Sequence, residues 1–210
     1  MISAPGKPIL YLISDGSINR DNFEARAAGF FKLVNAAVKY RIPYVQIREK
    51  HLPGCLLFDL ASNAVRACQD SATKLLINDR LDVALSVGAD GVHLAANSIT
   101  ADVVRKHVPD DFLIGVSTHS IDEIEEAKST GADFAIFGPI FETPGKCHPV
   151  GLDVLAEAAN RTSPFPVLAL GGVDETNYRD VLDVGSAGFA AIRFLNNATN
   201  LAKLSMELGL

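Results

Sequence analysis

The chain has 210 residues, 48% hydrophobic and 21% charged, with a net charge of −6. This describes one soluble globular domain able to bury a sizeable core. An acidic balance without a basic stretch excludes general nucleic-acid binding, and the lack of any apolar run near 18 residues excludes a membrane-spanning helix.

In chain order, Ile9-Leu10-Tyr11-Leu12-Ile13 is a buried strand stopped by Ser14-Asp15-Gly16. From Asp21 to Tyr40, Phe23, Ala27, Phe30, Phe31, Val34 and Ala37 share one face of a helix. Pro43 precedes a second strand that runs through Lys50, and Pro53 opens a helix to about Ser71. Further strands are expected at Lys74–Ile77, Gly91–Leu94, Phe112–Val116, Asp133–Phe137, Pro166–Leu170 and Gly188–Ile192. Helices fall between them: Leu81–Val87, Thr100 to His107, one opened by a Ser120/Glu123 capping box, Gly151–Asn160, and one capped by Asp174. Ala198–Leu208 closes the chain. Gly88-Ala89-Asp90-Gly91, Gly131-Ala132-Asp133 and Gly185-Ser186-Ala187-Gly188 form a weak repeat, each ending a helix and opening a strand.

Eight such alternations, with short apolar strands suited to a parallel sheet covered by helices, predict an α/β fold, a single-domain (β/α)8 barrel over residues 1–210. A doubly wound open sheet is the alternative; no Gly-x-Gly-x-x-Gly follows the first strand. Met1–Pro8 lacks the apolar stretch of a signal peptide. Cys55, Cys68 and Cys147 are odd in number, lack metal-ligand spacing and read as reduced thiols, so a cytoplasmic location is expected.

The chemistry gathers around Gln46-Ile47-Arg48-Glu49-Lys50. Alternation puts Gln46, Arg48 and Lys50 on one side of the second strand. Two cations and an amide are costly to aim into a core. The row therefore faces an anion at the strand's open end, with pyrophosphate or phosphate the natural candidate, or else forms a polar layer neutralised within the fold. In a barrel the reactive rim collects the strands' C-terminal ends. That adds Asn78 and Asp79, His93, Ser117-Thr118-His119, the loop from Glu142 to Lys146, Gly171-Gly172, and Ile192-Arg193. One carboxylate, Asp79, among cations and amides suits Mg²⁺ held with water and substrate phosphate. Gly171-Gly172 is either a backbone phosphate site or a tight turn; His93 is a core histidine or a site residue; His119 is a proton carrier or a helix cap. Gly138 to Lys146 is followed by Cys147, not Ser or Thr, which rules out a nucleotide-binding loop.

Over nearly its whole length the chain resembles the thiamine-phosphate synthase and thiazole tautomerase family. The resemblance rests on Gln46-Ile47-Arg48-Glu49-Lys50, Ile77-Asn78-Asp79-Arg80, Gly91-Val92-His93-Leu94, Gly115-Val116-Ser117-Thr118-His119-Ser120, Gly138-Pro139-Ile140-Phe141 with Thr143 and Lys146, and Ala169-Leu170-Gly171-Gly172-Val173. It implies a (β/α)8 barrel that couples hydroxymethylpyrimidine pyrophosphate to thiazole phosphate, with Mg²⁺ as cofactor. By motif match, Arg48, Lys50, Asn78 and Lys146 would hold the pyrophosphate, with Arg48, Lys50 and Lys146 catalytic. Gln46 and Ser117 would line the pyrimidine pocket, and Asp79 would bind the metal. Thr143, Gly172, Ile192 and Arg193 would border the thiazole phosphate. The implied partners are small phosphorylated substrates, with no nucleic acid and no membrane, and there is room for a homo-oligomer. Three positions depart from the family pattern: Ser98 replaces a second metal-ligand Asp, Gly145 replaces a hydroxyl residue, and Arg193 replaces a small hydroxyl residue. The competing functions are a thiazole tautomerase and a non-catalytic thiazole-phosphate-binding paralogue; the intact Gln-x-Arg-x-Lys row favours the synthase.

Overall fold

The structure is a computed structural model describing residues 7–145 and 148–210. Eight parallel strands close into a barrel in sequence order: β1 Ile9–Ile13, β2 Tyr44–Ile47, β3 Lys74–Asn78, β4 Gly91–Leu94, β5 Leu113–Thr118, β6 Phe134–Phe137, β7 Val167–Ala169 and β8 Gly188–Ala191. The pairing of Ile9 with Gly188 and Leu12 with Ala191 joins the first strand to the last and excludes the open sheet. A helix follows each strand: α1 Phe23–Lys39, α2 Gly54–Cys68, α3 Leu81–Val87, α4 Ala101–Arg105, α5 Ile121–Ser129, α6 Gly151–Thr162, α7 Tyr178–Asp183 and α8 Ala198–Leu208. Among the described residues no helix is long and apolar enough to cross a membrane.

Two apolar layers follow from the alternation of the strands. One face of each strand packs under the helices, as with Leu10, Val45, Ile77, Val92 and Phe137. The other face fills the barrel, where Tyr11, Tyr44 and Phe134 meet with ring centroids 5.4–5.8 Å apart. Gly115 makes room for this plug: a Cβ there would lie 2.4 Å from the Phe134 ring and 2.7 Å from His93 Nδ1.

The Gly-Ala-Asp repeat has a mechanical role at the lower rim, where the strands begin. Asp90 accepts the Leu75 backbone N–H (2.9 Å) and the Lys74 ammonium (2.8 Å). Asp133 likewise accepts Ile114 N–H (2.7 Å) and Arg105 (2.6 Å). In the third copy the Ser186 hydroxyl serves instead, lying 3.0 Å from the Val167 carbonyl.

Some boundaries differ from expectation. β2 stops at Ile47 rather than reaching Lys50, because Arg48 N–H turns to the Ser14 hydroxyl (2.8 Å) instead of a neighbouring strand. β5 runs on to Thr118, paired with Phe137. Helix α1 begins with a 3-10 turn, Arg20–Asn22, capped by Asn19. Ser120 caps α5 as expected, but the Glu123 carboxylate takes the N–H of His119 rather than of Ser120. Asp174 caps a turn through Thr176, and Asn177 occupies the N-terminal flank of α7.

Candidate active site

The upper mouth has a polar half and an apolar half. Continuing the inward alternation of Tyr44, Leu76 and Gly115, strands β2 to β5 present Gln46, Asn78, His93 and Ser117. From the other side Ile13, Ile136, Leu170 and Ile192 join the interior apolar cluster. Gln46 and His93 are both 1% exposed and form the polar floor. Gln46 Nε2 donates to the Tyr11 hydroxyl at 2.8 Å. His93 Nε2 lies 2.9 Å from Ser117 Oγ, while Nδ1 has no hydrogen-bond partner among the described residues. Burial chiefly drives the His93 pKa down to about 3, with the Asp79 carboxylate opposing and Arg48 assisting, so the ring is neutral. An orphaned buried N–H is the rarer defect, which puts the ring proton on Nε2, donated to Ser117. The Ser117 hydroxyl hydrogen is then left for the mouth.

Past β2 the chain leaves the sheet carrying the two cations. Arg48 is half-buried and Lys50 exposed, and among the described residues neither forms an ion pair. Between them Glu49 is 4% exposed and turned inward. Its Oε1 accepts from the Ser14 hydroxyl (2.6 Å) and Gly16 N–H (3.2 Å), and its Oε2 from Ile18 N–H (2.8 Å). Burial raises its pKa, and these three donors hold the rise in check. Sequence reasoning gave Glu49 no role; a carboxylate between two cations reads as their counter-charge.

Asn78 ends β3, and Asp79 follows with φ of +56°, a left-handed conformation that non-glycine residues seldom adopt but Asp tolerates. Its carboxylate is held from both sides: Oδ1 accepts Ala95 N–H (2.8 Å) and Oδ2 accepts Asn78 Nδ2 (2.9 Å). The Asn78 amide thereby keeps its carbonyl oxygen unoccupied by that bond. A cleft of about 190 Å³ runs beside these groups and is lined by Ile47, Glu49, Lys50, Asn78, Asp79 and Arg80. Lys50, Asn78 and Asp79 thus face one space, with Arg80 already paired to Asp82 at 2.7 Å. The described residues contain no cluster of three or more His, Cys, Asp or Glu side chains able to cage a metal. One carboxylate beside an amide oxygen fits only a hard cation that keeps water and takes phosphate oxygens.

On the opposite side, the loop after β6 lies on Gly171-Gly172. Ile140 N–H bonds the Leu170 carbonyl (2.9 Å) and Phe141 N–H the Gly171 carbonyl (3.0 Å). A Cβ on Gly171 would stand 2.6 Å from Pro139, and one on Gly172 2.6 Å from the Phe141 Cβ. The close approach of this loop requires glycine at both positions, whether or not their backbone also meets a ligand. Thr143 is half-buried there, its hydroxyl bonded to the Phe141 carbonyl at 3.0 Å. Arg193 is exposed just past β8; the Asp174 carboxyl, held below its ordinary range first by Thr176, also feels its charge. His119 sits at the end of β5 with Nδ1 2.6 Å from the Gly138 carbonyl, which only accepts, so Nδ1 carries the proton. Lys146 and Cys147 lie outside the described residues. A larger cavity, about 910 Å³, opens at the lower rim around Arg41, Lys74, Asp90 and Asp133, away from every one of these residues.

Residues 10–195 match the family model described as thiamine monophosphate synthase. A putative thiamine-phosphate synthase of Geobacter sulfurreducens is 41% identical over 87% of this chain and 84% of its own length. A thiamine-phosphate synthase of a Roseiflexus species is 34% identical over 89% and 78%. The solved thiamine phosphate pyrophosphorylase of Pyrococcus furiosus superposes with a TM-score of 0.78 at 28% identity, covering 94% of this chain and 95% of that one. The chain belongs to the thiamine monophosphate synthase family.

Proposed function

We propose that the protein is a thiamine-phosphate synthase, a transferase that joins hydroxymethylpyrimidine pyrophosphate to thiazole phosphate and releases pyrophosphate. The observation that carries the reading is that Arg48 and Lys50 form no ion pair among the described residues, while Lys50 shares a cleft with Asn78 and Asp79. Such an edge suits a leaving group bearing several negative charges. In the reaction the bond from the pyrimidine methylene carbon to the pyrophosphate oxygen breaks, and the thiazole nitrogen lone pair forms the new carbon–nitrogen bond. No proton need move at the reacting atoms. The protein contributes position and electrostatic stabilisation, which fits a mouth rich in cations and amides and poor in bases.

In this reading Arg48, Lys50 and Asn78, with Lys146, grip the pyrophosphate. Gln46 is fixed by Tyr11 and Ser117 by His93, so each offers the pyrimidine a set group, an amide oxygen and a hydroxyl proton. Thr143, Gly172, Ile192 and Arg193 border the thiazole phosphate. Asp79 and Asn78 would hold Mg²⁺, which supplies charge neutralisation of the leaving pyrophosphate. The enzyme works in the cytoplasm, where Cys55 and Cys68 stay reduced.

The test is mass-spectrometric detection of thiamine phosphate from purified protein and both substrates, with and without Mg²⁺. Product that depends on Mg²⁺ is expected. Folded protein that yields none, but interconverts thiazole phosphate tautomers, would overturn the synthase reading in favour of the isomerase.

A further inference from the structure

Glu49 borders the cleft, but both its carboxylate oxygens are engaged by the protein, and through them it organises its neighbour Arg48. Three donors from the segment after β1 converge on it: the Ser14 hydroxyl, Gly16 N–H and Ile18 N–H. The Ser14 hydroxyl also accepts Arg48 N–H at 2.8 Å, which closes a ring from Arg48 through Ser14 back to its sequence neighbour Glu49. Ser14 is 1% exposed, so the ring is sheltered from water. The Arg48 guanidinium runs past this same segment: a Cβ built on Gly16 would stand 3.4 Å from the Arg48 carbonyl oxygen and 3.8 Å from one guanidinium nitrogen. Beyond the ring, Leu52 N–H returns to the Glu49 carbonyl (3.1 Å) and closes the turn that carries Lys50.

We infer that Glu49 is a positioning residue: its buried carboxylate clasps the segment from Ser14 to Ile18 and thereby sets the backbone and guanidinium of Arg48 for an incoming pyrophosphate group. The inference rests on the proposed reading of the mouth. A carboxylate is required because three donors converge on two acceptor oxygens. A glutamine of the same size would turn an N–H₂ towards one of those donors and break the clasp. A buried glutamate that served stability alone would have no preference for the Arg48 side of the mouth.

The experiment is calorimetric titration of inorganic pyrophosphate, with Mg²⁺, into four proteins: the parent, Glu49→Gln, Arg48→Ala and the double variant. Glu49→Gln should weaken binding about tenfold in the parent, the equivalent of one lost charge-assisted hydrogen bond. In the Arg48→Ala background it should weaken it no further, while lowering the melting temperature equally in both backgrounds. An equal loss of affinity in both backgrounds would make Glu49 a general structural residue and overturn the inference. Unchanged affinity in Glu49→Gln would do the same. Should Glu49→Gln not fold, Ser14→Ala takes its place, removing the ring's middle member while keeping the carboxylate, and the same two outcomes decide. A folded parent that binds no pyrophosphate would overturn the reading of the mouth, and the inference with it.

Discussion

The two rims of the barrel differ in how their inward-reaching charges are partnered. At the lower rim Lys74 meets Asp90 at 2.8 Å and Arg105 meets Asp133 at 2.6 Å, and each carboxylate also holds a backbone N–H of the preceding strand. At the upper rim Arg48, Lys50 and Arg193 form no ion pair among the described residues, and the one buried glutamate nearby serves the backbone instead. Charge neutralised at home holds the wall together; in the proposed function the charge left open receives the pyrophosphate. The larger of the two cavities belongs to the lower rim, so volume does not mark the proposed working end.

Substitution at each rim sharpens the contrast. Arg48→Ala should cut the rate of coupling about a hundredfold, as loss of a bidentate cation does. Its melting temperature should stay close to the parent's, because among the described residues the Arg48 side chain forms no ion pair that the substitution would remove. A folded variant with full coupling activity would sink the pyrophosphate assignment. Asp133→Asn should do the reverse. Disrupting a pair that is only a quarter exposed and also holds Ile114 N–H should destabilise the fold by about 1–3 kcal/mol, read by urea denaturation, with the coupling rate unchanged. Lost activity in an intact Asp133→Asn protein would erase the division between rims.

A pH-dependent effect concerns His93, which lies between them. Its pKa is near 3 in the fold and near 6.5 when unfolded, so between those values the unfolded chain binds the extra proton. Stability should therefore fall as pH drops below about 6.5, at up to about 1.4 kcal/mol per pH unit from this group. His93→Gln should flatten the acid side of the stability curve by that slope between about pH 4 and pH 6. Parallel curves for parent and variant would mean that His93 is not buried neutral.

Much of the fold could be read from the chain because short apolar strands and capped helices are local features. Strands β1 and β4 and helices α3 and α8 have the bounds expected of them. Closure could not be read so directly: it depends on Ile9 finding Gly188, a pairing between the two ends of the described chain. The cations of the mouth were legible because Arg and Lys on alternating positions are hard to explain in a core. Glu49 was not, since its partners lie more than thirty residues upstream and two of them are backbone N–H groups. The same holds for Gly171 and Gly172. Two glycines announce a close approach, but only the fold shows that Pro139 and Phe141 are what approaches.

The lower-rim repeat also has a bearing on how such a barrel can change over evolutionary time. Asp90 clasps β4 to β3, Asp133 clasps β6 to β5, and Ser186 clasps β8 to β7. From β3 to β8 the wall therefore consists of three two-stranded modules, each carrying its own fastener within a short stretch of chain. Duplication, insertion or exchange at the joints between modules leaves every fastener inside its unit, whereas a break within a module parts a carboxylate or hydroxyl from the strand it secures.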